Sequence, residues 1–362
     1  MSRRLTVNQD NKPIYDIVFE NDFEKLTDEL QAINLLNKKI CIVTDSKVEP
    51  LYADAVMSVL KNKCKDVFVY AFPTGEQNKN LDTVQKIYEF LIKNKMERKD
   101  LLIALGGGVV GDVTGFVAAT YLRGIDFVQI PTTLLAQVDS SVGGKTGVDF
   151  NQYKNMVGAF KMPRLVYMNL SVLDSLDNRQ FAAGMGEVIK YGLIKNDDFY
   201  NWLINNVKKI KDRDFDAIEE MVIKSCDFKR AVVEVDPTEK GERALLNFGH
   251  TIGHAVEKSK DFKLLHGECV SLGSVAASFI SCKKGYISQN EYLKVIDTLK
   301  FFDLPVSIDD IDIDAVLEFT TSDKKMEGNK IKFICLKEVG NAIIDTSVTK
   351  EELLMGIKNI VK

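Results

Sequence analysis

The chain has 362 residues, 45% of them hydrophobic, with 48 basic and 52 acidic side chains and a formal net charge of −4. This balance argues against a nucleic-acid-binding protein, and no apolar run approaches the length of a membrane span. The N-terminal stretch is too polar for a signal peptide, and the six cysteines include no Cys-x-x-Cys pair, so we expect a cytoplasmic protein with free thiols.

The first half of the chain alternates short β-branched runs with stretches of helical spacing. Predicted strands cover 39–44, 66–72, 101–105, 126–130 and 165–169, and predicted helices cover 81–95 and 110–122. Strands that alternate with helices indicate a parallel sheet covered on both faces. The sequence therefore predicts an α/β domain with a Rossmann-like sheet over residues 1–176.

Amphipathic helical stretches dominate the chain from residue 177 onward. They cover 178–194, 198–210, 214–235, 247–260, 268–284 and 288–300. The tail adds a predicted hairpin over 330–346, turning at Gly340-Asn341, and a last helix over 349–361 that begins with a capping-box pattern. We expect a second, mainly α-helical domain over residues 177–362.

A glycine-rich turn joins the third predicted strand to the next helix. Gly106, Gly108 and Gly111 have the G-x-G-x-x-G spacing that lets a backbone approach a pyrophosphate at a helix N-terminus. The usual dinucleotide motif follows the first strand instead, and tight strand–helix packing alone explains one or two such glycines. Because Gly107 makes four glycines here, we favour a bound dinucleotide.

Further loops fall at the same edge of the predicted sheet. Residues 74–79 follow the second strand and Thr132-Thr133 follow the fourth, and ligands bind at the carboxyl ends of parallel strands. The loop over 137–160 places Gly143-Gly144 beside Lys145, a combination that suggests anion binding. It lacks the G-x-x-x-x-G-K-[ST] spacing, so nucleotide hydrolysis is not favoured.

All three histidines of the chain lie between Asn247 and Glu268. His250 and His254 share a helix face, and His266 follows a turn. A catalytic zinc takes three nitrogen or oxygen ligands, and Glu187 is a candidate because it stands in an apolar, glycine-flanked helix. The three histidines with this glutamate favour a metal site, although any one histidine alone is more often a core residue. The residues leave open which two histidines bind.

Several polar groups near these histidines suit an anionic, hydroxylated substrate. Lys190 lies one helical turn after Glu187, on the same face. Lys229, Arg243 and Asn247 precede the histidines in the chain and place two cations and an amide beside the proposed metal.

These segments together resemble the 3-dehydroquinate synthase family. The resemblance rests on "GGGVVGDVTGFVAATYLRG", "QIPTTLLAQVDSSVGGKTGVD", "KNMVGAF", "GMGEVIKYGLI" and "RALLNFGHTIGHAVE…LHGE", with a weaker match at "DKK" near residue 323. It spans essentially the whole chain. It implies an α/β domain followed by a helical domain, with NAD and a divalent metal, zinc or cobalt, as cofactors.

The resemblance also implies the role of each residue. Glu187, His250 and His266 would bind the metal, and His254 would contact the substrate phosphate or transfer a proton. NAD would contact Asp45, Thr74, Gly75, Glu76, Gln77, Asn78, Lys79, Gly108, Val109, Val110, Gly111, Asp112, Thr132, Thr133, Lys145, Lys154, Val172, Leu173, Asp174 and Ser175. The substrate would contact Asp139, Lys145, Asn155, Lys190, Lys229, Arg243, Asn247, His254 and either Lys324 or Lys325. Arg123 would reach into the site of a neighbouring subunit, which implies a homodimer.

The implied reaction converts 3-deoxy-D-arabino-heptulosonate 7-phosphate to 3-dehydroquinate and phosphate. It proceeds through transient oxidation by NAD, phosphate elimination, re-reduction, ring opening and an intramolecular aldol closure. Three alternatives are a related sugar-phosphate cyclase, a metal-dependent polyol dehydrogenase and a catalytically silent NAD-binding protein. Arg243, Asn247 and His254 argue against the first, and the intact metal and lysine sets argue against the last.

Overall fold

The structure is a computed structural model that describes residues 3–151, 153–237, 241–322, 326–327 and 330–362. The chain divides into two compact units, Met1–Leu176 and Asp177–Lys362. Among the helices in the described part of the chain, none has both the length and the apolar character needed to cross a bilayer.

The first unit contains nine strands and four α-helices within its described residues. The strands are β1 (Arg3–Gln9), β2 (Lys12–Glu20), β3 (Lys39–Asp45), β4 (Asp66–Phe72), β5 (Leu101–Gly106), β6 (Asp126–Pro131), β7 (Lys145–Phe150), β8 (Tyr153–Phe160) and β9 (Leu165–Asn169). The helices are α1 (Leu26–Ala32), α2 (Asp54–Leu60), α3 (Leu81–Lys93) and α4 (Gly108–Thr120). Short π-helical and 3₁₀ turns lie at Glu49–Ala53, Glu76–Asn78, Tyr121–Arg123, Ala136–Ser140 and Leu170–Ser175.

Seven of these strands form one sheet in the order β1-β2-β9-β6-β5-β3-β4. Every pair from β2 to β4 is parallel, and only β1 is antiparallel to its neighbour. Side chains of β3 alternate between two cores: Ile40 and Ile42 face α1 and α2, whereas Cys41 and Val43 face α3 and α4. The predicted parallel sheet with helices on both faces is therefore confirmed, as are all five predicted strands.

The β1–β2 hairpin was not predicted. Asp10 and Asn11 connect its strands with φ values of 52° and 58°. A two-residue turn with both φ values positive matches the twist of the flanking strands, and Asp and Asn tolerate it. The hairpin adds two strands before the predicted first strand, so the glycine-rich turn follows the fifth strand in chain order and not the third.

The sequence predicted a loop over 137–160, and this prediction is wrong for most of the segment. Its second part is the β7–β8 hairpin, which pairs Lys145 with Phe160 and Gly147 with Gly158. A Cβ on Gly147 would lie 2.8 Å from the Val157 carbonyl oxygen, so glycine here serves a close strand pairing.

The second unit is mainly helical. Its helices are α5 (Asn178–Lys195), α6 (Asp197–Asn205), α7 (Val207–Lys211), α8 (Phe215–Val235), α9 (His250–Ser259), α10 (His266–Lys283), α11 (Gln289–Phe301), α12 (Ile313–Ser322) and α13 (Lys350–Asn359). A 3₁₀ turn covers Glu242–Asn247, and short strands are β10 (Met326–Glu327), β11 (Lys330–Ile331), β12 (Phe333–Glu338) and β13 (Asn341–Asp345).

Side-chain caps set several of these boundaries. Asp177 and Asp214 accept hydrogen bonds from the backbone N–H groups of Gln180 and Ala217, which fixes the starts of α5 and α8. Thr349 and its helix form the predicted capping box. Asn206 divides the predicted helix 198–210 into α6 and α7.

Three predicted boundaries in this unit are wrong by a few residues. Helix α9 begins at His250 rather than at residue 247, and α10 begins at His266 rather than at 268. The last hairpin turns at residues 339–340, because Asn341 already pairs with Glu338. The predicted substrate residues Lys324 and Lys325 lie outside the described residues.

Candidate functional site

Glycines bring three helices of the second unit into backbone contact. A Cβ built on Gly267, at the start of α10, would lie 1.7 Å from the Ala183 carbonyl oxygen of α5. A Cβ on Gly273 would lie 1.8 Å from the carbonyl oxygen of Gly249, which directly precedes α9. Any side chain at either position would force the helices apart. Helix α10 therefore crosses α5 and α9 at a separation that only glycine permits.

Each of these helices presents a metal-binding side chain next to a close-packed glycine. Glu187 follows Gly186 on α5, His250 opens α9, and His266 opens α10. The Nε2 atoms of His250 and His266 lie 3.5 Å and 3.3 Å from the same Oε1 of Glu187. The helix crossings thus gather one carboxylate and two imidazoles from positions up to 79 residues apart.

The ring of His250 is held in one tautomer by the backbone. Its Nδ1 lies 3.1 Å from the carbonyl oxygen of Phe248. A carbonyl only accepts hydrogen bonds, so Nδ1 carries a hydrogen, and in the neutral ring Nε2 keeps its lone pair. That lone pair is available on the side of Glu187. Such a contact on the far nitrogen is the usual way that a metal-binding histidine is oriented.

Glu187 is fully buried and nonetheless ionised. Its side chain has 0% exposure, and the Lys190 ammonium contacts its Oε2. Burial acts to raise the pKa of Glu187, but Lys190 and then His266 offset this and lower the pKa to about 2. The prediction that Lys190 shares a face with Glu187 is confirmed. A buried carboxylate kept in its charged form is ready to bind a cation.

The distances from Glu187 Oε1 to the two imidazole nitrogens fit a tetrahedral metal. Zinc bonds to nitrogen and oxygen are about 2.0–2.1 Å long, so tetrahedral ligand atoms stand about 3.4 Å apart. The two distances to Glu187 Oε1 lie on either side of that value, at 3.3 Å and 3.5 Å. Three protein ligands with a fourth position left for water or substrate are typical of a catalytic site.

The remaining polar residues predicted for this unit lie on elements that pack against α5. Lys229 is on α8, and Arg243 and Asn247 are on the 3₁₀ turn. Lys229 and Arg243 are only 6% and 4% exposed. Arg243 donates from its guanidinium to the Pro237 carbonyl oxygen at 2.7 Å. The elements that pack against α5 therefore carry two buried cations. A buried cation forms strong charge-assisted hydrogen bonds with an anion.

A second group of predicted residues gathers in the first unit around Lys79. The Lys79 ammonium is buried, lies 2.6 Å from Asp112 Oδ2 and donates to Asn155 Oδ1 at 2.6 Å. Lys154 pairs with Glu76 at 3.4 Å. Burial opposes the charge on Lys79, yet Asp112 and Glu76 raise its pKa above the ordinary value. The structure thus brings together residues from the 74–79 loop, α4 and β8.

The glycine-rich turn places its four glycines against neighbouring side chains. A Cβ on Gly106 would lie 2.5 Å from the Val110 side chain, and a Cβ on Gly111 would lie 2.8 Å from the Gln129 side chain. At Gly107 and Gly108 the nearest atoms, from the side chains of Thr133 and Ser140, are 3.1 Å away. Packing alone therefore accounts for two glycines, as expected. The other two flank the N-terminus of α4, where backbone N–H groups are available to an anion.

Other residues predicted to bind NAD lie at the same edge of the sheet, as expected for a parallel arrangement. Asp45 ends β3 and accepts hydrogen bonds from the N–H groups of Lys47 and Val48. Thr132 follows β6, and its N–H donates to the Gly106 carbonyl oxygen. Residues 172–175 form part of the 3₁₀ turn after β9, with Val172 and Leu173 buried and Asp174 and Ser175 exposed.

Three residues assigned to the substrate also lie in the first unit. Asp139 is part of the π-helical turn at Ala136–Ser140, and the side chain of Lys145, at the start of β7, is exposed. Arg123 is exposed in a short turn after α4, with a φ of 68°.

One carboxylate in the Lys79 group was missed by the sequence analysis. Asp149 Oδ1 accepts from the Asn155 N–H at 2.8 Å, and its own N–H donates to the Lys79 carbonyl oxygen at 2.8 Å. Burial raises the pKa of Asp149. Its position two residues before the turn at Asn151 could have indicated Asp149. That turn can be recognised only once 145–160 is known to be a hairpin.

The chain matches known proteins over nearly its full length. The family model "3-dehydroquinate synthase N-terminal" matches residues 69–183, and "3-dehydroquinate synthase C-terminal" matches residues 184–326. A curated 3-dehydroquinate synthase from Acetivibrio thermocellus is 42% identical over 354 residues, covering 98% of both chains.

The chain belongs to the 3-dehydroquinate synthase family. Two solved structures share its fold. A 2-epi-5-epi-valiolone synthase from Streptomyces hygroscopicus, described with NAD⁺ and Zn²⁺ bound, has a TM-score of 0.89, 23% identity and 99% coverage of both chains. A 2-deoxy-scyllo-inosose synthase, complexed with carbaglucose-6-phosphate, NAD⁺ and Co²⁺, has a TM-score of 0.86, 24% identity and the same coverage. The predicted family and fold are therefore confirmed.

Proposed function

We propose that the chain is a 3-dehydroquinate synthase that uses NAD and a divalent metal, zinc or cobalt. It converts 3-deoxy-D-arabino-heptulosonate 7-phosphate to 3-dehydroquinate and phosphate, the second step of the shikimate pathway. The observation that carries this proposal is the convergence of Glu187, His250 and His266 from three glycine-packed helices. We place the reaction in the cytoplasm, which agrees with six cysteines that are all free thiols.

Glu187, His250 and His266 hold the metal, and the first unit holds NAD. When bound, the metal acidifies a substrate hydroxyl and NAD accepts and later returns a hydride. Lys190 keeps Glu187 ionised and so keeps the charge that neutralises the cation. The carbonyl of Phe248 fixes the ring of His250, so no ring reorientation is needed when the metal binds.

Lys229, Arg243 and Asn247 bind the anionic and hydroxyl groups of the substrate. The substrate carries a carboxylate and a phosphate, and Lys229 and Arg243 are cations on elements that pack against α5. His254 is half-buried, with its ring centroid 5.0 Å from that of His250. This position suits a residue that contacts the phosphate or moves a proton at a ring nitrogen.

Lys79 anchors the NAD site of the first unit, together with Asp45, Glu76, Asp112 and the N-terminus of α4. Lys79→Met is expected to raise the Kd for NAD by about 10–100-fold, because each lost charged hydrogen bond is worth about 1.5–3 kcal/mol. Isothermal titration with NAD measures this change. Lys93→Met, at the end of α3, is a matched control with the same loss of charge, and its Kd should equal that of the wild type. An unchanged Kd in Lys79→Met would remove this residue from the site.

The active form is a homodimer in which Arg123 of one subunit serves the substrate site of the other. Leu122 and Arg123 both have positive φ, 50° and 68°, a conformation that costs free energy in residues other than glycine. The β7–β8 hairpin leaves four large apolar side chains 45–61% exposed: Phe150, Tyr153, Met156 and Phe160. An apolar surface of this kind is typical of a subunit interface.

Mixing two inactive variants tests this arrangement. Arg123→Ala and His250→Ala are each expected to lose nearly all activity. A mixed dimer has one site with both defects and one with neither, so an equal mixture should recover about a quarter of the wild-type rate after subunit exchange. Mixing Asn247→Ala with His250→Ala is the control, since both residues serve the same subunit's site and no intact site arises. Absence of recovery in the first mixture, with exchange demonstrated, would contradict a shared site.

The function itself is tested by offering two substrates. The enzyme is incubated with NAD, zinc or cobalt, and either heptulosonate phosphate or glycerol. We expect phosphate release from the first and no NADH from the second. Glycerol-dependent NADH formation without phosphate release would identify a polyol dehydrogenase instead.

A further inference from the structure

Helices α9 and α10 carry a second group of side chains that could hold a metal, beside the first. His254, Glu257 and His266 each offer a nitrogen or oxygen atom, and these three atoms lie within 4.8 Å of one another. The Glu257 side chain is 3% exposed, whereas both histidines are half-buried. Two imidazoles with a buried carboxylate form a donor set suited to zinc, and the partial exposure leaves access for water.

This group shares His266 with the site at Glu187 and adds two further donors, His254 and Glu257. His254 follows His250 by four residues of α-helix, which is a rise of about 6 Å. The centroid of the His266 ring lies 5.3 Å from that of His250 and 5.8 Å from that of His254. The three rings are therefore nearly equidistant, since the His250 and His254 centroids are 5.0 Å apart, but His266 directs its Nε2 to Glu187. An ion added after the first finds His254 and Glu257 as its protein ligands and completes its coordination with water.

We propose that His254 and Glu257 form a second, weaker site for a divalent cation, and that an ion bound there inhibits the enzyme. The binding part rests only on the geometry of α9 and α10. The inhibition rests on the proposed function, because a metal on His254 prevents it from contacting the substrate or moving a proton. The second ion has one protein ligand fewer than the first and is repelled by it, so we expect it to bind at least about 100-fold more weakly. The first ion should survive gel filtration and the second should not.

The test titrates Zn²⁺ into enzyme that already holds one equivalent. Equilibrium dialysis with metal analysis should show a second, weaker equivalent, and phosphate release from heptulosonate phosphate should fall as it binds. Glu257→Gln keeps the size of the side chain and removes the anionic ligand. It should retain the first zinc, bind the second at least tenfold more weakly and shift the inhibition midpoint by the same factor. Asp261→Asn, an exposed carboxylate just beyond α9, makes the same change of charge and should behave as the wild type.

Two results would overturn the proposal: uptake of only one zinc by the wild type, or uptake of the second by Glu257→Gln with wild-type affinity. His254→Asn provides a second variant if Glu257→Gln does not fold, and it should also lose the second binding event. Failure of the proposed function would appear differently. The enzyme would then release no phosphate at any zinc concentration, while the dialysis would still decide whether the second site exists.

Discussion

Replacing Gly267 with alanine is expected to lower the free energy of unfolding by about 3 kcal/mol or more and to abolish metal retention. The new methyl group would lie 1.7 Å from the Ala183 carbonyl oxygen, and neither helix backbone can yield without moving the other. Helix α10 would then shift away from α5 and carry His266 away from Glu187. Urea unfolding and zinc content after gel filtration measure the two effects.

Ser278→Ala on the same helix is the control for this variant. The Ser278 hydroxyl is buried and makes no hydrogen bond with any described residue, so its removal should change the free energy of unfolding by no more than about 0.5 kcal/mol. If Gly267→Ala is too unstable to purify, Gly186→Ala introduces a milder clash, 2.7 Å from the Gly267 carbonyl oxygen. Wild-type stability and zinc content in both glycine variants would show that the helix crossings do not position the metal ligands.

The neighbouring histidines of α9 should respond differently to the same substitution. His250→Ala removes one of the three proposed ligands and is expected to leave less than about one tenth of an equivalent of zinc after gel filtration. His254→Ala should keep about one equivalent and lower kcat by about 10²–10⁴-fold, the usual contribution of a group that transfers a proton or binds a developing charge. Metal analysis and steady-state kinetics on the same preparations separate the two roles.

Circular dichroism of both variants controls for loss of the helix. Zinc loss in His254→Ala would mean that this histidine belongs to the tight metal site. Zinc retention in His250→Ala would assign the third ligand elsewhere. Either result would change the roles assigned to the two histidines of α9. It would not affect the packing of the helices around Glu187.

Periodicity predicted the regular elements. Four of the five predicted strands are well buried, and β4, at the edge of the sheet, is half-buried. All five predicted strands of the parallel sheet have continuous apolar runs, and the capping pattern at Thr349 marked the last helix correctly. The two missed hairpins, β1–β2 and β7–β8, have polar or glycine-containing strands whose pairing depends on turns at Asp10-Asn11 and Asn151. Alternation alone carries too little signal for such strands.

The residue types of the metal site could be proposed from the sequence, but their geometry could not. Only the fold shows that Gly267 meets Ala183 and that Gly273 meets Gly249. Likewise, Lys79, Asp112 and Asn155 come from three separate segments, and their convergence depends on the course of the β7–β8 hairpin. The sequence did not indicate Glu257 as a metal ligand, because a single glutamate on a helix is ordinarily a surface residue.

The proposed reaction has no net redox change, and a reaction with limiting NAD tests this most directly. Enzyme freed of bound NAD receives zinc, heptulosonate phosphate and a one-hundredth molar amount of NAD relative to substrate. We predict that phosphate release goes to completion while absorbance at the NADH wavelength stays at its starting value. Phosphate release that stops at one equivalent per NAD, or NADH that accumulates in step with phosphate, would contradict a cycle in which the hydride is returned.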